Sequence, residues 1–336
     1  MPTDPIALAR QLIDVPSTTG SEAAVGELLE RELRRIGFSV ERHAVTDERF
    51  NLLARAGGVP RVVFNTHIDT VPPWFASSED DEFVYGRGAC DTKGIIAAML
   101  VAGERLIERG IRDFACLFVV GEETDSIGAR SANEAFADLG SEYVVVGEPT
   151  ESHFARASKG ALTCTVRFEG VAGHSAYPER GDSAITHLVA AITEINAADW
   201  GSHEILGATT VNVGVVRGGQ KPNIIAAEAE CEMIFRLVTT PEEVQQRLES
   251  IVALHRGTVT AARGNPPQFM TVPEGEPSAV VSFNTDVPWL GNLGKPLLFG
   301  PGSILDAHGV NERIRKADLF AAIDTYERLV AKLLVS

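Results

Sequence analysis

Along most of the chain, short runs of β-branched and aromatic residues alternate with longer stretches whose apolar positions recur every three or four residues. The helical texture comes first, in PIALARQLIDV and EAAVGELLERELRRIG; Thr19 or Ser21 is available to cap the second and Gly37 to end it. Next come NLLARAG, RVVFNTH, ACLFVVG and EYVVVGE, compact runs of strand length, with the helical KGIIAAMLVAGERLIERG among them. Strands this apolar need covering on both faces. The pattern therefore predicts an α/β domain with a largely parallel sheet, in which ligands bind beyond the carboxyl ends of the strands.

From about Ala161 the texture changes to strand (ALTCTVRFEG), helix (DSAITHLVAAITEINAA), two strands (ATTVNVGVVRGG and AAEAECEMIFRLV), helix (PEEVQQRLESIVALHR) and strand (GTVTAAR). This βαββαβ order predicts a ferredoxin-like α+β unit. The loop NPPQFMTVPEGEPS reads as a linker, after which a helical segment, a GPGS loop and the helix KADLFAAIDTYERLVAKLLV rejoin the first domain. The expected organisation is residues 1–158 and 269–336 as one domain, with 159–268 inserted in it.

A chain of 336 residues with 44% hydrophobic content can build two ordinary cores. Its formal net charge of -16 argues against nucleic acid or an anionic membrane as partner, since either would want a basic face. No signal-peptide pattern and no run long enough to cross a bilayer is visible, so a soluble, cytoplasmic protein is expected. Cys90, Cys116, Cys164 and Cys231 are widely spaced without a CxxC pair, which fits reduced thiols rather than disulfides or a thiolate zinc site.

The chemistry gathers at strand ends. CLFVVGEETDS closes an apolar run on Glu122 and Glu123, VVFNTHIDTVP delivers His67 and Asp69, and RGACDTKG follows with Asp91. YVVVGEPT ends in Glu148, and GPGSILDAHGVNE supplies His308. Singly, each has an ordinary explanation as a buried histidine, turn residue or helix cap. Jointly they do not, because clustered buried carboxylates cost several kcal/mol each unless a cation neutralises them. Histidine with carboxylate suits zinc, with cobalt or manganese as substitutes. The glycines at Gly218, Gly219, Gly300 and Gly302 form neither GxxxxGK[ST] nor a GxGxxG between strand and helix, so no phosphate cradle is expected; Gly302 would let a ligand approach the backbone.

The pieces THIDTVP, YGRGACDTKG, GEETDSIGA, VVGEPT, GHSAYPERG, GGQKPNIIA with the later Arg236, and GPGSILDAHGVNE resemble, in order and spacing, the M20 metallopeptidases and deacylases. That family includes acetylornithine deacetylase, succinyl-diaminopimelate desuccinylase, aminoacylase and a bacterial carboxypeptidase. The resemblance implies two divalent ions, most simply zinc, bridged by Asp91; His67 and Glu148 complete one site, and Glu123 and His308 the other. It further implies Glu122 as general base, and Asp69 as the acceptor that fixes the His67 tautomer. In the inserted domain it implies that His174 stabilises an oxyanion, often from the partner of a homodimer, and that Asn223 and Arg236 reach substrate carbonyl or carboxylate groups.

The expected reaction is removal of an acyl group from the nitrogen of a small amino acid. N-acetylornithine, in arginine biosynthesis, is the first choice; N-acetylcitrulline, N-acetyl-lysine and succinyl-diaminopimelate are alternatives. A dipeptidase or carboxypeptidase would use the same groups on a peptide bond. A silent binder of amino-acid derivatives is the contrasting class, and it has no need of Glu122. Ser303 and Ala226 depart from many relatives, which leaves substrate choice open without touching a metal ligand.

Overall fold

The structure, a computed structural model, describes residues 2–335. Two compact units form, one of Met1–Arg156, Met270–Ala279 and Thr285–Ser336, the other of Ala157–Phe269 with the short return Val280–Asn284.

The first unit opens with α1 (Pro5–Ile13), whose start is capped by the Asp4 carboxylate accepting from the N–H groups of Ile6 and Ala7, and α2 (Ala23–Ile36). α2 ends as expected at Gly37, where φ is 108°, a conformation that glycine adopts without the Cβ clash of other residues. Its start differs from expectation. Glu22 stands at the cap without a side-chain bond to the helix, and the Thr19 hydroxyl donates instead to Asp69 at 2.7 Å.

β1 (Ser39–Ala44), β2 (Phe50–Arg55), β3 (Val62–His67), β4 (Phe114–Val119), β5 (Tyr143–Val146) and the strand Lys295–Leu298 make one six-stranded sheet. Their spatial order is β1, β2, β4, β3, β5, Lys295–Leu298. β4, β3, β5 and Lys295–Leu298 run parallel, while β1 and β2 are an antiparallel hairpin added at one edge. β3 and β4 are buried at every position, as strands covered on both faces must be. α3 (Gly94–Glu108) and the last helix, Lys316–Val335, pack on each other and on β3; α2 and α4 (Ile127–Ala135) pack on β2. The last helix also ties down the chain beyond Lys295–Leu298, through the buried Tyr326 hydroxyl donating to the Phe299 carbonyl at 2.9 Å.

The helical segment expected before the GPGS loop does not form. Val287–Trp289 and Gly291–Leu293 are single 3₁₀ turns, followed by the parallel strand Lys295–Leu298. Gly294, at φ 116°, breaks any helical continuation, and a Cβ there would lie 2.5 Å from the Glu142 backbone.

In the second unit, β6 (Gly160–Glu169), α5 (Ala184–Ala197), β7 (Thr210–Gly218), β8 (Glu228–Leu237), α6 (Pro241–Leu254) and β9 (Gly257–Asn265) follow the predicted βαββαβ order. The sheet is antiparallel in the order β7, β8, β6, β9, and α5 and α6 close its core around Phe168, Leu188, Phe235 and Leu248. Among the described residues no helix is long and apolar enough to cross a membrane. All four cysteines are buried and free.

Local packing fixes the loop after β4. The Asn51 side chain accepts from Val120 N–H (3.1 Å) and donates to the Gly128 carbonyl (2.8 Å), and Gly128 N–H donates to the Val120 carbonyl (3.0 Å). A Cβ on Gly128 would sit 2.3 Å from the Val120 oxygen. Gly128→Ala is therefore expected to cost about 1–3 kcal/mol through overpacking. A lowered Tm for the folded variant is the predicted reading, and an unchanged Tm would contradict this account of the contact.

Candidate metal centre

The predicted ligands arrive at one end of the sheet because its parallel strands all finish there. His67 is the last residue of β3, Glu122 and Glu123 follow β4, Glu148 follows β5, and His308 lies in the loop after Lys295–Leu298. Asp91 comes from the tight turn Ala89–Lys93 that leads into α3.

Asp91 is the hub. Its Oδ1 lies 3.0 Å from His67 Nε2 and its Oδ2 lies 3.2 Å from His308 Nε2, so one carboxylate stands between two imidazoles. His308 Nε2 is also 3.0 Å from Glu123 Oε2. Donor atoms of His67, Glu122 and Glu148 lie within 4.8 Å of one another, and so do those of His67, Asp91 and Glu123. The sets share His67 and are otherwise acidic. His67, Asp91 and Glu148 are buried, whereas the His308 side chain is 51% exposed and enters from the rim.

The electrostatics are those of an acidic cluster short of positive charge. Burial, reinforced by the charge on Glu148, pushes Glu122 well above the usual carboxylate range. Glu148 is also pushed well up, by burial first, with His67 acting in the opposite direction and Asp91 adding to the rise. On His67, burial opposes protonation, but the carboxylates of Asp69 and Asp91 outweigh it and hold the pKa well above that of a free imidazole. His308 is raised to about 10 by its hydrogen bonds to Asp91 and Glu123. The imidazoles are thus recruited as cations by the acids around them. A donor set of two histidines and several carboxylates fits divalent zinc, cobalt or manganese, which would satisfy the acids and leave the imidazoles neutral.

Asp69 is fully buried beneath this cluster. His67 Nδ1 donates to its main-chain carbonyl at 3.0 Å, while its carboxylate Oδ1 is 3.6 Å from that nitrogen. The carboxylate accepts instead from the N–H groups of Gly121 (2.9 Å), Glu122 (3.1 Å) and Glu123 (3.2 Å), besides the Thr19 hydroxyl. One residue therefore fixes both the His67 ring and the turn carrying Glu122 and Glu123.

Gly302, at φ 87°, is buried, and a Cβ there would lie 2.8 Å from the Cβ of Cys90, so its close neighbour is the residue before Asp91. His174, Asn223 and Arg236 all belong to the second unit. There the His174 and Asn223 segments are joined: His174 bridges Ile224, Ser175 N–H donates to the Asn223 carbonyl at 3.2 Å, and both side chains are exposed. Arg236 lies on β8 opposite Thr210 of β7 and Ala161 of β6.

Three neighbours of the centre were not singled out from the sequence. Asp286, buried at 2% exposure, has an Oδ1 without a hydrogen-bond partner, and burial raises its pKa to about 7. It sits in NTDVPW, which offers no periodic signal. Arg87 and Glu312 form a buried ion pair at 2.7 Å. Both stand inside motifs already noted, YGRGACD and HGVNE, where each charge is one of several polar residues.

Comparison with known proteins bears on this arrangement. Residues 156–258 match the family model described as peptidase dimerisation domain. A peptidase M20 domain-containing protein of Schizosaccharomyces pombe is 35% identical over 337 residues, covering 97% of this chain and 84% of its own length. A protein of Paracoccidioides brasiliensis named "Probable carboxypeptidase" is 32% identical over 373 residues, covering 97% of this chain and 84% of its own. Among solved structures, a tripeptidase from Staphylococcus aureus superposes with a TM-score of 0.80 at 21% identity over 96% of both chains. An M20 family metallo-carboxypeptidase from Sulfolobus solfataricus gives 0.76 at 16% identity, over 97% of this chain and 98% of its own. These two show the shared fold.

Asp69→Asn replaces an acceptor-only group by one that turns an amide N–H₂ toward backbone donors. The variant is expected to bind Co²⁺ about 10–100-fold more weakly, as followed by titration. Undiminished affinity would contradict the positioning role derived for Asp69.

Proposed function

The chain belongs to the M20 metallopeptidase family and is a metal-dependent hydrolase of amide or peptide bonds, and from that premise we propose that it removes an acyl group from the nitrogen of a small amino acid. The observation that carries the reading is the Asp91 carboxylate, with one oxygen at His67 and the other at His308. In this reading two divalent ions would share the Asp91 carboxylate, with His67 and Glu148 as the side chains that would hold the first and Glu123 and His308 those that would hold the second. When bound, such a pair polarises the scissile carbonyl and acidifies water.

The chain's own groups do the rest. Glu122, adjacent to a proposed ligand and held through its N–H by Asp69 at 3.1 Å, takes the proton of the attacking water and returns it to the leaving amine. His174 of a second copy donates a hydrogen bond to the developing oxyanion, with the homodimer formed through the dimerisation domain. The exposed turn that joins the His174 and Asn223 segments supports their acting together. Asn223 and Arg236 engage the substrate's carbonyl and carboxylate groups, for which the planar guanidinium fork is suited.

N-acetylornithine is the first substrate to test, followed by N-acetylcitrulline, N-acetyl-lysine and succinyl-diaminopimelate. A second reading, cleavage of a C-terminal peptide bond, is supported by the name carried by the Paracoccidioides brasiliensis relative. Both reactions release an amino acid with a free amine and carboxylate, so they differ only in the acyl side.

Release of free amine from a panel of N-acetyl, N-succinyl and dipeptide substrates separates them: N-acetylornithine turned over ahead of dipeptides is expected, and the reverse order would move the protein to the peptidases. Chelation should abolish turnover, with zinc or cobalt restoring it; activity that survives complete metal removal would sink the mechanism. Glu122→Gln should keep its metal content while kcat falls by at least about 10²-fold, and kcat close to wild type would remove Glu122 from the base role.

A further inference from the structure

Two strands outside the main sheet bring a buried ion pair to the foot of the proposed centre. Phe83–Tyr85 and Arg313–Arg315 pair antiparallel with Tyr85 opposite Arg313, and Gly86 N–H donates to the Glu312 carbonyl at 3.0 Å. The residues flanking this pairing, Arg87 and Glu312, thus emerge side by side, each side chain 1% exposed. A buried pair gains little net stability over apolar residues of the same size. What distinguishes this one is where its remaining hydrogen bonds go.

Glu312 Oε2 takes Arg87 Nη1, while Oε1 accepts from the main-chain N–H groups of Cys90 and Asp91, each at 3.2 Å. On the other side, Arg87 Nη2 donates to the His308 carbonyl at 3.4 Å and Nε donates to the Pro73 carbonyl at 3.1 Å. The pair therefore grips the backbone of Asp91 and the backbone of His308, residues 217 apart by number but 3.2 Å apart at their side chains. His308 needs such a hold. Its side chain is 51% exposed, its φ is +61°, and Leu305 and Val310 in the same loop are 87% and 80% exposed, so apolar packing around them contributes little anchorage.

We propose that Arg87 and Glu312 are positioning residues that couple the Asp91 turn to the His308 loop and so set the spacing of the second metal site. This rests on the ligand reading above, in which Asp91 and His308 share that site with Glu123. Neither residue is assigned contact with substrate or ion. Their effect passes through the backbone of the ligands, and it falls on the Glu123/His308 site more than on the His67/Glu148 site.

The test is Co²⁺ titration of the full-length protein by visible absorption, with kcat, KM and Tm measured in parallel. Arg87→Met/Glu312→Leu removes the pair without stranding a charge. The second equivalent is expected to bind about 10–100-fold more weakly with altered d–d bands, the first to be weakened less, and kcat is expected to fall more than KM changes. Arg87→Met/Glu312→Gln returns an uncharged acceptor to the Cys90 and Asp91 N–H groups and should recover part of the second-site affinity, which bulk packing would not do. If the Leu variant does not fold, Arg87→Lys serves instead: it keeps the charge but loses the fork that reaches the Pro73 and His308 carbonyls, and should weaken the second site alone. Two equivalents in wild type with unchanged second-site affinity in the folded variants overturns the positioning role and leaves the metal reading intact. Failure of wild type to take a second equivalent overturns both.

Discussion

Asp91 shares a buried pocket with other acids and has an imidazole at each of its two oxygens, and the rest of the first unit is arranged around that condition. Carboxylates out of water repel one another and lose hydration, so the cluster persists only where positive charge or metal ions meet it. The raised pKa values of Glu122, Glu148, His67 and His308 are one signature of this condition, seen from the acids and from the bases. A centre that draws protons onto its histidines has the donor set to exchange those protons for cations.

The fold meets the condition by convergence. Parallel strands finish at one edge of the sheet, so β3, β4 and β5 deliver His67, Glu122, Glu123 and Glu148 at or just past their carboxyl ends, while His308 comes in on the loop between Lys295–Leu298 and Arg313–Arg315. Around that edge, polar anchors act on the backbone rather than on the ligand atoms. Asp69 holds three successive N–H groups after β4, Asn51 holds Val120, and Glu312 holds Cys90 and Asp91. Because the anchors grip the main chain, the side chains of the proposed ligands keep their lone pairs for the cluster.

Much of this was legible in the sequence because the relevant signals are local. An apolar run ending in Glu-Glu or in His-x-Asp marks both a strand and what it delivers, and the βαββαβ order of the second unit follows from periodicity alone. What escaped has nonlocal causes. β1, SVERHA, is a polar edge strand in which only Val40 is buried, and its existence depends on pairing with β2. Lys295–Leu298 is four residues long and starts with Lys-Pro; it is a strand because β5 offers it a parallel partner. α4 carries few large apolar residues and is placed by Gly128 fitting against Val120. Arg87 and Glu312 lie 225 positions apart, and nothing in either motif by itself shows that they meet. Asp69 was legible as a partner of His67, but its grip on the Glu122–Glu123 turn required the fold.

Anomalous X-ray scattering from crystals grown with zinc or cobalt would locate the ions against these side chains. Two peaks about 3.5–4 Å apart are expected, with Asp91 between them, one beside His67 and Glu148 and the other beside Glu123 and His308, and with Glu122 at neither. A single peak, or a metal held by Glu122 in place of Glu123, would contradict the proposed arrangement.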